Sequence, residues 1–129
     1  MHNVTETMLW EVHKASMKLC SYVLVHDTGF APNPFWGFCT LAVCTPNHMG
    51  LRLRSSDWIV GHGSAALANR LIYAMRVSEV LDFDRYFHDP RIEKKKPSQG
   101  TWQQQCGDNI YRRQGEGWVQ EGSLFHTSR

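Results

Sequence analysis

The run Ser21-Tyr22-Val23-Leu24-Val25 passes directly into His26-Asp27-Thr28-Gly29-Phe30-Ala31-Pro32-Asn33-Pro34-Phe35-Trp36-Gly37. A short strand pattern is thus followed by a segment too polar, and too broken by Gly and Pro, to be the interior of any element. Pro32 and Pro34 fix φ, and Gly29 and Gly37 permit backbone that other residues avoid, so the loop is stiff without a regular ladder. It gathers donors, acceptors and aromatic rings at one strand end. Such a loop suits a flat polar ligand.

The strand pattern continues outward from there. Residues 38–43 form a second run of strand formers ended by Cys44-Thr45-Pro46-Asn47, and Asp57-Trp58-Ile59-Val60-Gly61 a third, closed by a Gly61-His62-Gly63 turn. In residues 71–80, Leu71, Tyr73, Met75 and Val77 alternate with Ile72, Ala74, Arg76 and Ser78, the period of a half-buried strand. Residues 64–69 have room for one helical turn. Leu81-Asp82-Phe83-Asp84-Arg85-Tyr86-Phe87 reads as a short helix begun at Asp82 or Asp84 and stopped by Asp89-Pro90. Residues 94–105 are polar and read as a long exposed loop, followed by a turn and short strand over 106–111 and a last apolar patch at Trp118-Val119-Gln120. Trp58, Tyr73 and Met75 are assigned to the core.

With 129 residues, 42% hydrophobic and 20% charged, the chain has the size and composition of one globular domain, able to bury about 65–70% of its unfolded surface. It contains no stretch of 18 apolar residues, so no membrane span is expected. Residues 1–19 lack the continuous apolar centre of a signal peptide, and a cytoplasmic location is the expectation. Met8, Val12, Ala15 and Leu19 recur at helical spacing. Residues 1–19 are read as an N-terminal extension and 20–129 as the domain.

Cys20, Cys39, Cys44 and Cys106 are expected to be reduced thiols in that compartment. Cys39 and Cys44, five apart on the expected strand, would point to opposite faces, which argues against a shared zinc even with His48 and Cys106 as further ligands. No metal and no cofactor is expected. The net charge of +2 and pI near 8.4 do not supply the broad basic face of a duplex-DNA binder. Arg91-Ile92-Glu93-Lys94-Lys95-Lys96 reads as a solvated loop or, alternatively, as a weak phosphate-contacting surface.

The order of segments HDTGFAPNPFWGFCTLAVCTP, DWIVGHG, RLIYAMRVSEVLDFDRYFHDPR, CGDNIYRR and GWVQ, with His126 after them, resembles the nucleotide modification associated domains, most closely their second type, over residues 20–126. The resemblance implies an α+β fold, a small, mainly β open barrel similar to the PUA-like class, with one or two short helices. It also implies a setting in systems, including those of phages, that make or process modified bases. Two departures stand out. The family has a further C-terminal strand ending in a Tyr-Phe-Gly-like segment, so this chain reads as a shortened member with an open sheet edge. Ser56 stands where the family tends to have Gly.

The candidate ligand-binding residues are His26, Asp27, Asn33, Trp36, Asp108, Asn109, Tyr111 and Trp118. His26 is a general base by type, with Asp27 beside it, although neighbours on a strand point to opposite faces. Asn33 and the Asp108-Asn109 pair carry donors and acceptors that either read a base edge or bond their own turns. Trp36, Tyr111 and Trp118 can stack on a base. No nucleophile set, phosphate-binding loop or dinucleotide fingerprint is present, and Gly61-His62-Gly63 is at best a weak phosphate nest. No catalytic residue can therefore be named. The expected partners are a modified nucleotide or nucleic acid and a base-modifying enzyme; the alternatives are an enzyme acting on a modified nucleotide and a scaffold for such an enzyme.

Overall fold

The computed structural model describes residues 16–43 and 50–126. Strands β1 (Leu19–Leu24), β2 (Trp58–Gly63) and β3 (Leu71–Arg76) form one sheet in that order, with β1 parallel to β2 and β2 antiparallel to β3. A 3-10 turn at Ala65–Leu67 joins β2 to β3. Helix α1 (Phe83–His88) follows, then a 3-10 segment at Pro90–Lys95 and the single-turn helix α2 (Trp102–Gln105). Strands β4 (Tyr111–Gln114) and β5 (Gly117–Gln120) close the series as an antiparallel hairpin. The fold is a small α+β arrangement of two sheets, and among the described residues neither closes into a barrel.

Local chemistry explains most of these bounds. Asp82 caps α1 by accepting from the Arg85 amide at 2.8 Å, and Asp89 does the same for the Arg91 amide at 2.9 Å, so one acidic residue starts each segment. Gly115, at φ 60°, takes the left-handed position of the two-residue turn between β4 and β5. At Gly61 the sheet has no space for a side chain. A Cβ there would overlap the Tyr73 ring and come within 2.5 Å of Leu24 Cδ1, and Tyr73 closes over the spot with its hydroxyl 2.6 Å from that of Tyr22. Ser56 has φ 82°, backbone that glycine enters without cost. That is a physical reason for a glycine at this position. The turn is held by Asp57, whose carboxylate accepts from the amides of Lys18 and Arg54 and is kept below its ordinary pKa by those bonds.

The apolar core consists of Leu24, Phe30, Ile59, Val77, Tyr86, Ile92, Cys106 and Ile110. Phe83 of α1 packs on Tyr111 of β4, ring centres 4.8 Å apart, and faces Trp118 of β5 edge-on at 6.4 Å. The hairpin is thereby docked on α1 through aromatic contacts.

Several expectations require correction. Residues 38–43 are not a strand: Thr40 makes one isolated antiparallel bridge with Asn33, and among the described residues no neighbouring strand runs alongside. The opposite-face argument for Cys39 and Cys44 falls with it, and Cys44 lies outside the described residues. Gly61-His62-Gly63 is the end of β2 rather than a turn. The strand expected over 71–80 stops at Arg76, and the one expected within 106–111 begins at Tyr111. Residues 94–105 are not a loop throughout, because α2 carries a capping box between Thr101 and Gln104 and Lys95 is fully buried. The charge run around Lys95 is therefore not simply solvated. Trp58, Tyr73 and Met75 are half-buried rather than core. The helical spacing at Met8, Val12 and Ala15 lies outside the described residues.

Candidate nucleotide site

Among the described residues five polar or charged ones are buried: Asn33, Asp57, Lys95, Asp108 and Asn109. All but Asp57 belong to one knot. The Lys95 ammonium donates to Asn33 O at 2.8 Å, Asn33 Oδ1 at 2.7 Å and Phe38 O at 2.7 Å, which spends its three hydrogens. It plugs the loop that the Asn33–Thr40 bridge closes. Asn33 Oδ1 also accepts from the Phe35 amide, and Asn33 Nδ2 donates to Cys106 O at 3.1 Å. The stiffness read from Pro and Gly is thus completed by a cation from the 3-10 segment.

Asp108 forms the other half. Its Oδ2 accepts from the Thr40 hydroxyl at 2.6 Å and its Oδ1 from the Tyr86 hydroxyl at 2.8 Å. Burial raises its pKa, while the two hydroxyl bonds and the Lys95 charge pull the other way. Burial also lowers the Lys95 pKa to about 8, with Asp108 and Cys39 opposing. Tyr86 is pushed up, first by burial and then by the Asp108 charge. Asn109 Nδ2 donates to Tyr86 O at 3.0 Å, which ties α1 to the same segment. Gly107 makes this close approach possible: a Cβ there would run into Pro97 N and lie 2.5 Å from Lys95 O and 2.6 Å from Lys96 C.

Beside the knot lies a cavity of about 960 Å³ between the three-stranded sheet and the β4–β5 hairpin. Thr40, Cys39 and Tyr86 line it on the knot's side, Ile59 and Met75 on the sheet's side, and Phe83, Tyr111 and Trp118 on the aromatic side. Arg76 and Arg91, both exposed, border it. Arg91 is committed, pairing with Asp89 at 2.5 Å and Glu79 at 2.9 Å. Among the described residues Arg76 bonds only Ser56 Oγ and forms no ion pair. The volume is at the upper end of ordinary small-molecule sites, about 300–1,000 Å³. A second hollow of about 560 Å³, by Pro97–Gly100 and Gly122–Leu124, has no ionisable side chain in its lining.

The family profile named nucleotide modification associated domain 2 matches residues 16–129. The chain belongs to that family. No curated protein and no solved structure matches it. Within this member of the family, the motif segments meet at the knot: Asn33 and Thr40 come from the first, Tyr86 from the third and Asp108 with Asn109 from the fourth. Among the described residues no helix is long and apolar enough to cross a membrane.

The eight expected site residues divide into three groups. Asn33, Asp108 and Asn109 meet inside the knot, bonded to protein groups. Tyr111 and Trp118 line the cavity, and an Arg113 guanidinium lies 5.1 Å from the Trp118 ring centre. His26, Asp27 and Trp36 do not line it; the first two are exposed beyond the end of β1, and Trp36, at φ 65°, carries Lys94 Nζ 5.5 Å from its ring centre. Thr40, Tyr86 and Lys95 were missed. Lys95 had one legible signal, its i,i+3 spacing from Ile92 after Pro90, which a 3-10 segment places on one face.

Proposed function

We propose that this domain binds a nucleotide or nucleic acid carrying a modified base, and that the base enters the cavity against Tyr111 and Trp118. The observation that carries the reading is the pairing of an aromatic wall with a polar floor, Thr40 and Tyr86, in one hollow large enough for a nucleoside. Family membership supports the setting of nucleotide modification. Asp108 then acts behind the floor, holding its hydroxyls in place, while Asn33 and Asn109 hold the backbone of Thr40 and Tyr86. In this reading the two sheets are parts of an open PUA-like arrangement with the ligand between them, and a base-modifying enzyme is the expected partner.

The test is a thermal-shift and calorimetric titration against ordinary and modified mononucleotides and short single- and double-stranded DNA and RNA. A ligand at about 100 times its dissociation constant should stabilise the protein by roughly 2.7 kcal/mol. Trp118→Ala, which removes a half-exposed ring, should weaken that ligand by about 1–3 kcal/mol, the range of base–aromatic stacking. A cooperative melt that no nucleotide moves would overturn the reading and favour a scaffold. Turnover of a bound nucleotide would make the same hollow an active site, with Asp108 as the group able to take a proton from Thr40 or Tyr86.

A further inference from the structure

We infer that the floor of the cavity acts only as a hydrogen-bond acceptor, so that the base it holds is one whose buried edge carries N–H or O–H donors. This rests on the base-binding reading above and names the chemical class of its ligand: an amino-bearing or hydroxyl-bearing base edge rather than a carbonyl edge.

Thr40 and Tyr86 each have one hydroxyl hydrogen. Both go to Asp108, at 2.6 Å and 2.8 Å, one on each carboxylate oxygen; the other acceptor near the Thr40 hydroxyl, Asn33 O, is much farther at 3.5 Å. An ionised carboxylate has no hydrogen to offer in return. What the two hydroxyls have left is lone pairs, and both residues line the cavity. Lys95 cannot supply the missing donor. Its three hydrogens are held by Asn33 O, Asn33 Oδ1 and Phe38 O, and it does not line the hollow. The Cys39 thiol on the same side offers only a weak S–H.

A ligand carbonyl set against this floor would face oxygen lone pairs and leave its own acceptor unpaired. An amino or hydroxyl group at the same place gives the hydrogen the floor lacks. Leaving one buried polar group unpaired corresponds to about tenfold to a hundredfold in affinity.

The experiment compares ligands that differ at one polar group: adenosine with purine riboside, which lacks only the 6-amino group, cytidine with pyrimidin-2-one riboside, which lacks only the 4-amino group, and a 5-hydroxymethyl with a 5-formyl pyrimidine nucleoside. The donor-bearing member of the best-bound pair should bind about tenfold or more tightly. In Asp108→Asn the amide nitrogen must donate to one of the two hydroxyls, which frees that hydroxyl's hydrogen to turn toward the ligand. The preference should then shrink or reverse. Thr40→Val removes one of the two acceptors while keeping its shape, and should reduce the preference should Asp108→Asn fail to fold. Equal binding of both members, or a preference for the member without the donor, overturns the inference while leaving base binding intact. A preference unchanged in both variants overturns it too. Failure of every nucleoside to bind overturns the underlying reading and this inference with it.

Discussion

Lys95→Met should destabilise the domain by about 3–5 kcal/mol, whereas Lys94→Met, one residue away in the same basic run, should stay within about 0.5 kcal/mol. The contrast follows from where each ammonium sits. Lys94 is exposed and lies over the Trp36 ring, while Lys95 is fully buried with three carbonyl acceptors. Two of those acceptors keep another partner after the change: Asn33 O still accepts from the Thr40 amide at 2.9 Å, and Asn33 Oδ1 from the Phe35 amide at 3.2 Å. Phe38 O loses the only partner described for it, which costs about 1–3 kcal/mol. The larger part comes from Asp108, 1% exposed, which loses the cation that offsets its burial. Among the described residues Lys95 and Asp108 form no direct ion pair, so the charge acts across the knot, and a buried carboxylate left without a compensating charge brings the total to about 3–5 kcal/mol.

Urea unfolding followed by tryptophan fluorescence measures the difference directly, and the melting temperature should fall by about 10–20 °C. The effect should also depend on pH. In the folded protein Lys95 titrates at about 8, below its ordinary 10.5. Between those values the unfolded chain binds more protons, so this group's contribution to wild-type stability rises with pH. Lys95→Met lacks that rise, and the gap between the two proteins should widen from pH 7.5 to 9.5. A Lys95→Met protein within 1 kcal/mol of Lys94→Met, or a gap that narrows with pH, would refute the placement of Lys95 as the buried plug of the 33–40 loop.

Gly107→Ala should lower stability by about 1–3 kcal/mol, the usual range for overpacking, because its Cβ meets backbone atoms of residues 95–97 rather than a side chain that can turn away. It should also weaken ligand binding through the displaced Asp108, and unaltered binding with an unaltered melt would contradict the close approach. Arg76→Gln should leave the affinity for a bound nucleoside unchanged. It should remove an advantage of about fivefold, about 1 kcal/mol, that the matching 5′-monophosphate gains from the one bordering arginine not held in an ion pair. That advantage should decline with added salt in the unaltered protein, and calorimetry at two salt concentrations checks both points.

Periodicity and capping made much of the frame readable. Residues 21–25 fall in or next to β1, 57–61 largely in β2, and α1 starts after an Asp82 cap, because in each case the deciding interactions lie within a few residues. Residues 38–43 failed for the opposite reason. Strand propensity says that a segment fits a pleated surface, not that a partner strand is present, and here the partner is a single bridge to Asn33. Helix α2 was hidden by its polarity, although its capping box was present as Thr101 and Gln104. The knot was least legible. Asn33 lies far in sequence from Lys95 and Asp108, and the one local feature that distinguishes Lys95 from its two lysine neighbours is its i,i+3 spacing from Ile92.

The choice of a lysine rather than an apolar residue at position 95 has a structural logic. A buried ion pair is weak evidence of stability in itself, since a well-packed apolar replacement of the whole set often does as well. A methionine there would leave Phe38 O without its described partner and take a second partner from Asn33 O and Asn33 Oδ1, which keep the Thr40 and Phe35 amides. The ammonium gathers all three onto a single point and so fixes the loop's path from inside. The same loop carries Thr40, a residue of the cavity lining whose hydroxyl reaches Asp108 at 2.6 Å. The charge that shapes the loop and the charge that orders the floor therefore compensate each other. On that account Lys95 fixes the path of the loop that carries Thr40, and Asp108 sets the orientation of the Thr40 and Tyr86 hydroxyls.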